Sequence, residues 1–269
     1  MCYRDSDKLY AELFERSSKL IEEASAALGI AYVPGPDTEP FAVNTLPWDR
    51  TELVKLPGHL IGDSQAALVG GKYAFLGTKG VVEVAEGGPR AYGKRHACLQ
   101  KCKLIELVIL GVVSEAEKDV FVLSNDKLKA VVQGGRVTSL VDLQLGRELI
   151  PEGARANQLV IMDDKPLYWQ AWDVEVYHLE TRKELPPGKV SILEEGPLKV
   201  SLLVETKISE TSWINTTISL QAAVRGAGHY LEFDNEIEWR EDMKFLKVEF
   251  PVDVHNTEVI ALAPGIGEG

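Results

Sequence analysis

The chain has 269 residues, 45% hydrophobic and 26% charged, with a formal net charge of -12. That length suffices for one large or two smaller cores without disulfide staples. The acidic balance excludes a nucleic-acid surface, which needs clustered Lys and Arg, and an anionic membrane as partner. No apolar run nears the ~20 residues of a membrane span; the strongest, 104–113, is broken by Glu106 and Gly111. The first residues are charged and lack the apolar centre of a secretory signal. Three cysteines (Cys2, Cys98, Cys102) cannot all pair within one chain, so an intracellular, reducing setting is expected.

Residues 3–28 read as a helix. Tyr10, Leu13, Phe14, Leu20, Ile21, Ala24 and Leu28 recur at helical spacing, and Gly29 stands where a left-handed cap would end it. A single amphipathic helix cannot bury its stripe alone, so residues 1–30 are expected to be the last helix of a truncated bundle. A proline-rich connector, 33–40, follows, and residues 41–92 carry short β-runs punctuated by glycine (41–46, 52–56, 66–69, 73–76, 81–84), the pattern of a small β-sandwich. Residues 93–118 are set apart as an atypical insertion or linker, because Lys94, Arg95, Lys101 and Lys103 make its start basic in an acidic chain.

From residue 119 to 256 the pattern is regular. Runs at 120–123, 128–132 and 137–142 are joined by Asn125-Asp126 and Gly134-Gly135, residues suited to tight hairpins, which predicts an antiparallel meander. Longer strands are expected at 198–207, 213–222, 230–239 and 244–251. In 213–222, Ile214, Thr216, Ile218, Leu220 and Ala222 alternate with Asn215, Thr217, Ser219 and Gln221, so one face should be buried and one wet. Without strand-helix alternation, a nucleotide-binding α/β domain is excluded. The fold class is mainly β.

Three constellations invite chemistry. The block 163–182 concentrates Tyr168, Trp169, Trp172, Tyr177 and several carboxylates in a chain that is only 7% aromatic. Aromatic faces beside acidic groups suit a sugar, which stacks its apolar face and seeks acceptors for its hydroxyls; the same composition also builds an ordinary sheet core, the commoner role of Trp and Tyr. Trp169, Trp172, Asp173 and His178 are the substrate-contact candidates, His178 being alternatively a satisfied core histidine. Glu232, Asp234, Glu236 and Glu238 share one strand face and could bind a hard cation, but such rows are usually solvated and paired across to basic residues, here Lys244 and Lys247 on the next predicted strand. His96, Cys98 and Cys102 match no standard zinc spacing and lack a fourth ligand. No nucleophile elbow or phosphate loop occurs, and no catalytic or metal-binding residue is assigned.

Four stretches together resemble the α-mannosidases of glycoside hydrolase family 38, in particular the cytosolic and fungal vacuolar branch. They are 44–50 (Asn-Thr-Leu-Pro-Trp-Asp-Arg), 123–126 with 135–140 and 146–148, the block 163–182, and 244–251 (Lys-Phe-Leu-Lys-Val-Glu-Phe-Pro). The resemblance implies a retaining mannosidase. Its zinc-bearing α/β domain supplies the nucleophile, a helical bundle follows, and β-domains related to galactose mutarotase complete the pocket. It therefore implies that residues 119–256 are an incomplete mutarotase-like supersandwich, that 257–269 is a tail outside the family pattern, and that the zinc-binding catalytic domain lies outside this chain. No cofactor is expected here, with zinc belonging to the full-length enzyme. Expected partners are mannosides or oligosaccharides, and the missing catalytic domain or a second copy of the chain. A carbohydrate-binding module without catalysis is the alternative.

Overall fold

The computed structural model describes residues 2–27, 50–56, 66–67, 71–78, 112–117, 119–169, 172, 174–196, 198–223 and 229–255. By internal contacts the chain divides into two units, residues 1–50 with 76–101 and residues 51–75 with 102–269. The first contains helix α1, Cys2–Ala27, as its spacing predicts. Its apolar residues Leu9, Tyr10, Leu13, Phe14, Leu20 and Ile21 are exposed, and the rings of Tyr10 and Phe14, one turn apart, have centroids separated by 6.5 Å. Gly29, the runs 41–46 and 81–84, and His96, Cys98 and Cys102 lie outside the described residues.

Nearly all of the β-structure belongs to the second unit, and the chain is mainly antiparallel β with one N-terminal helix. Strands β1 (Arg50–Leu56), β2 (Ala66–Ala67) and β3 (Gly71–Thr78) form a sheet in the order β1-β3-β2. The expected meander is present as five strands in sequence order: β4 (Val112–Glu117), β5 (Val120–Ser124), β6 (Leu128–Gln133), β7 (Arg136–Asp142) and β8 (Arg147–Glu148). After β9 (Gln158–Asp163) and β10 (Lys183–Glu184), strands β11 (Lys189–Glu194), β12 (Lys199–Lys207), β13 (Trp213–Gln221) and β14 (Leu231–Glu238) make a four-stranded sheet in order. The last strand, β15 (Lys244–Glu249), does not join that sheet; it pairs with β9 in a sheet ordered β10-β9-β15.

The meander and the four-stranded sheet bury one core between them. Phe121, Leu123, Leu128, Val132 and Val137 come from one side and Val200, Leu202, Val204, Ile218 and Leu220 from the other, with Leu231 and Phe233 packed against them. Every second residue points inward on β6 and β12, the alternation that a sandwich requires. Asn125 ties the layers together. Its buried side chain accepts the N–H groups of Lys127 (2.8 Å) and Leu128 (2.7 Å), closing the β5–β6 turn, and donates to the Gln221 carbonyl of β13 (2.7 Å).

Two expectations are corrected. Gln221, Asn215 and Thr217 are half-buried as a partly wet face should be, but Ser219 on that face is buried, its hydroxyl 2.9 Å from that of Ser201 on β12. The second concerns the acidic row. Lys244 and Lys247 lie in the other sheet, so Glu232 pairs instead with Lys199 (3.6 Å) and Glu238 with Arg240 (2.5 Å). The row is solvated, but a strand next in sequence is not its neighbour in space.

The β6–β7 hairpin shows how closely the layers approach. Gly134 (φ 56°) and Gly135 (φ 81°) form its two-residue turn, with the left-handed geometry that suits paired glycines. A Cβ on Gly135 would lie 2.3 Å from Cγ1 of Val204. Gly146 also has a positive φ of 61°, but a Cβ there would meet nothing within 4 Å. Gly135→Ala is therefore expected to lower stability by about 2–5 kcal/mol, from backbone strain and overpacking together, whereas Gly146→Ala should lose only about 1–2 kcal/mol. Urea midpoints of the two variants check this; equal shifts would show that the approach of the layers is not tight.

Candidate functional site

Strand β9 carries the aromatic block. Gln158, Val160 and Met162 are buried while Leu159, Ile161 and Asp163 are half-buried, and β15 pairs along its full length from Lys244 opposite Asp163 to Glu249 opposite Gln158. The chain leaves β9 at Asp163 and returns through a 3-10 helix, Val176–Thr181, into β10. The two ends of this excursion are joined at the root. The Asp163 N–H donates to the Thr181 hydroxyl (2.9 Å), and the Asp164 N–H to the Met243 carbonyl (2.8 Å).

Side chains complete the fastening. The Asp163 carboxylate receives Lys165 (2.7 Å) and Lys244 of β15. Arg182 forks onto both oxygens of Glu249, at 2.9 and 2.6 Å, and reaches Glu184 at 3.4 Å. The His178 ring lies tilted over Phe245 of β15, with centroids 5.1 Å apart. Its Nδ1 is 2.6 Å from the Glu175 carbonyl, so Nδ1 carries the proton and donates. Hydrogen bonds from Lys165 and then Lys244 hold the Asp163 carboxyl below its usual range, and the one from Arg182 does the same for Glu249. Glu249 in return raises the Arg182 pKa. The paired charges are half-buried or exposed, so solvent screening keeps each pair weak.

Beyond the root the segment is open. Leu167, Tyr168, Val174, Val176, Tyr177 and Leu179 are exposed, and so are Trp169 at 74% and Trp172 at 89%. The Trp172 N–H donates to the Trp169 carbonyl (2.8 Å), and Trp169 sits at φ 60°, a conformation that bulky residues rarely adopt. The sheet-core reading of this block is thus overturned: the rings point into solvent because the segment loops away from the sheet instead of continuing it. His178 is not a core histidine either. It lies on the rim of an open cleft of about 250 Å³ that Asp164, Lys165, Glu175 and Tyr177 also line. Asp173 lies outside the described residues. Of the four candidates, Trp169 and Trp172 share one turn, while His178 stands at the root.

Chemically, the segment offers ring faces for stacking and carboxylates that accept hydrogen bonds. Among the described residues no three His, Cys, Asp or Glu side chains converge on one point. The residues that hold the segment, Phe245 and Glu249, were missed in the sequence, since Glu249 lies 67 positions from Arg182. No local spacing could have linked them.

Because the Glu249 pKa is lowered on folding, its contribution to stability is present above the unfolded carboxylate range and is lost as pH falls through the lowered folded value. Wild-type thermal stability should fall between about pH 5 and pH 3, and Glu249→Gln should flatten part of that fall. At neutral pH the same variant should speed amide exchange in 164–181 several-fold and leave β12 unchanged. An identical pH profile and unchanged exchange would mean that the Arg182 fork fastens nothing.

A family model described as the glycosyl hydrolases family 38 C-terminal domain matches residues 123–265, more than half of the chain. Human alpha-mannosidase 2C1 is 35% identical over 252 residues, covering 93% of this chain and 22% of the relative. The Saccharomyces cerevisiae alpha-mannosidase is 34% identical over 209 residues, 74% of this chain and 19% of the relative. Alpha-mannosidase G of Dictyostelium discoideum is 30% identical over 129 residues, 47% and 12% respectively. The chain thus spans at most about a fifth of the length of these relatives. With the aromatic segment and all of the core but Phe121 inside the matched stretch, this chain belongs to glycosyl hydrolase family 38.

Proposed function

We propose that these residues form a non-catalytic middle or C-terminal β-portion of a retaining α-mannosidase acting on mannose-containing oligosaccharides. The similarity of 93% of the chain to one continuous part of human alpha-mannosidase 2C1 carries this reading. The retaining reaction needs two carboxyl groups about 5 Å apart, and in this proposal a separate catalytic domain provides both of them together with the zinc. The described residues do not fit a metal, so no step is routed through one here. The β-sandwich acts as a rigid body that presents the segment 164–181, and Trp169, Trp172, Asp173 and His178 contribute sugar contacts. We place the protein inside the cell, in cytoplasm or vacuole, in keeping with its three cysteines; no described helix is long and apolar enough to cross a membrane.

The 269-residue polypeptide alone is expected to release nothing from an aryl α-mannoside, with or without added zinc. Zinc-dependent turnover by the pure chain would overturn the assignment of catalysis to another domain.

A second reading, a carbohydrate-binding module without catalysis, draws on the exposure of Trp169 and Trp172. Here mannose should bind with millimolar affinity, and Trp169→Ala or Trp172→Ala should weaken it at least tenfold, about 1.4 kcal/mol or more. Calorimetry that detects no heat for wild type would remove this second reading and leave the first intact.

A further inference from the structure

We infer that one ordered water molecule is a built-in component of this fold, bound where the β6–β7 hairpin, the start of β9 and strand β12 meet. Gln158 is buried, at 4% exposure. Its Nε2 donates to the Leu159 carbonyl (2.8 Å), which identifies the amide ends: only the nitrogen can donate to a carbonyl, so Oε1 faces the other way. Among the described residues that oxygen has no hydrogen-bond partner. A buried acceptor left bare forfeits its bonds to water with nothing in return, so a folded chain rarely retains one.

The surroundings supply a remedy. Gln158 lines a cavity of about 10 Å³ together with Arg136, Asn157, Thr206 and Thr216. That is the smallest space that holds a water molecule, and a water there needs two to four polar partners. Two of these side chains already use a donor elsewhere. Asn157 donates its Nδ2 to the Gly135 carbonyl (2.8 Å) and Thr216 its hydroxyl to Asn235 (2.7 Å). Arg136 uses Nη2 on the Leu185 carbonyl (2.6 Å) but has other N–H groups, and Thr206 on the cavity wall has a hydroxyl. The water donates one hydrogen to Gln158 Oε1 and accepts from Arg136 or Thr206. A space of about 10 Å³ matches one water and not a bulkier anion drawn to the guanidinium.

The site lies at the root of the candidate functional segment, since β9 begins at Gln158 and ends at Asp163, where the aromatic excursion starts. Its occupant joins a residue of that strand to the sandwich. It needs no sugar and no catalytic domain, so the proposal stands or falls apart from the functional reading.

Two measurements on the full chain test it. A crystal structure that resolves solvent should show one water within hydrogen-bonding distance of Gln158 Oε1; direct contact between Oε1 and Arg136 or Thr206, with the cavity closed, would overturn the proposal. Water–protein NOE spectroscopy gives the second, because the methyl groups of Val204 line the same space and do not exchange with solvent. A bound water gives cross-peaks from the Val204 methyl protons to water with the sign of a slowly tumbling complex; their absence would overturn the proposal.

Discussion

The close approach of the hairpin turn Gly134-Gly135 to strand β12 is the constraint on which the rest of the described β-unit depends. Two sheets that share a core normally stand about 10 Å apart. At this corner the backbone itself closes the gap: side-chain space at Gly135 and Gly188 is already taken by Val204 and Thr206, and the Gly188 N–H donates to the Gly134 carbonyl (3.0 Å). A side chain at either glycine would pry the layers apart where Leu128, Val132, Leu202 and Val204 exclude water.

That corner also sets the direction of the aromatic segment. Val137 and Ala156 exchange backbone hydrogen bonds of 2.9 Å, and the next residue, Asn157, turns the chain at φ 56° while its side chain holds the Gly135 carbonyl. Asparagine tolerates this left-handed geometry better than most residues and supplies the buried bond that fixes it. Strand β9 therefore starts from a position fixed by the hairpin. It then carries that position six residues outward to Asp163, where paired charges and the His178–Phe245 contact take over from burial as the means of support.

The strands were legible because alternation and turn chemistry are local properties. Asn125 and the glycine pair mark both hairpins, and Ile214, Thr216, Ile218 and Leu220 announce their buried face without reference to anything distant. What could not be read is partnership between remote segments. Lys244 follows β14 in sequence, yet its strand crosses to β9, because β9 would otherwise have only the two-residue β10 beside it. The same limit explains the aromatic block. Composition shows that Tyr168, Trp169 and Trp172 are together, but whether such rings enter a core depends on whether the chain continues the sheet or loops away from it. Here the loop is imposed by contacts with β15, such as that of Asp163 with Lys244, 81 positions further on.

Exposure of this kind has a physical consequence. Scattered apolar residues on a surface are ordinary, but a run with Leu167, Tyr168, Trp169, Trp172, Val174, Val176, Tyr177 and Leu179 all exposed is not. A flexible segment would lower its free energy by collapsing these rings onto itself or the nearest sheet, and the fastened root restricts that escape. Ordering such a segment in advance reduces the entropy lost when something is laid against it. The arrangement therefore suits a surface that is completed by contact, with the rings held out by a frame whose own stability comes from elsewhere. The labour is divided accordingly: the sandwich supplies rigidity through its core, and the segment carries exposed ring faces that the core does not need.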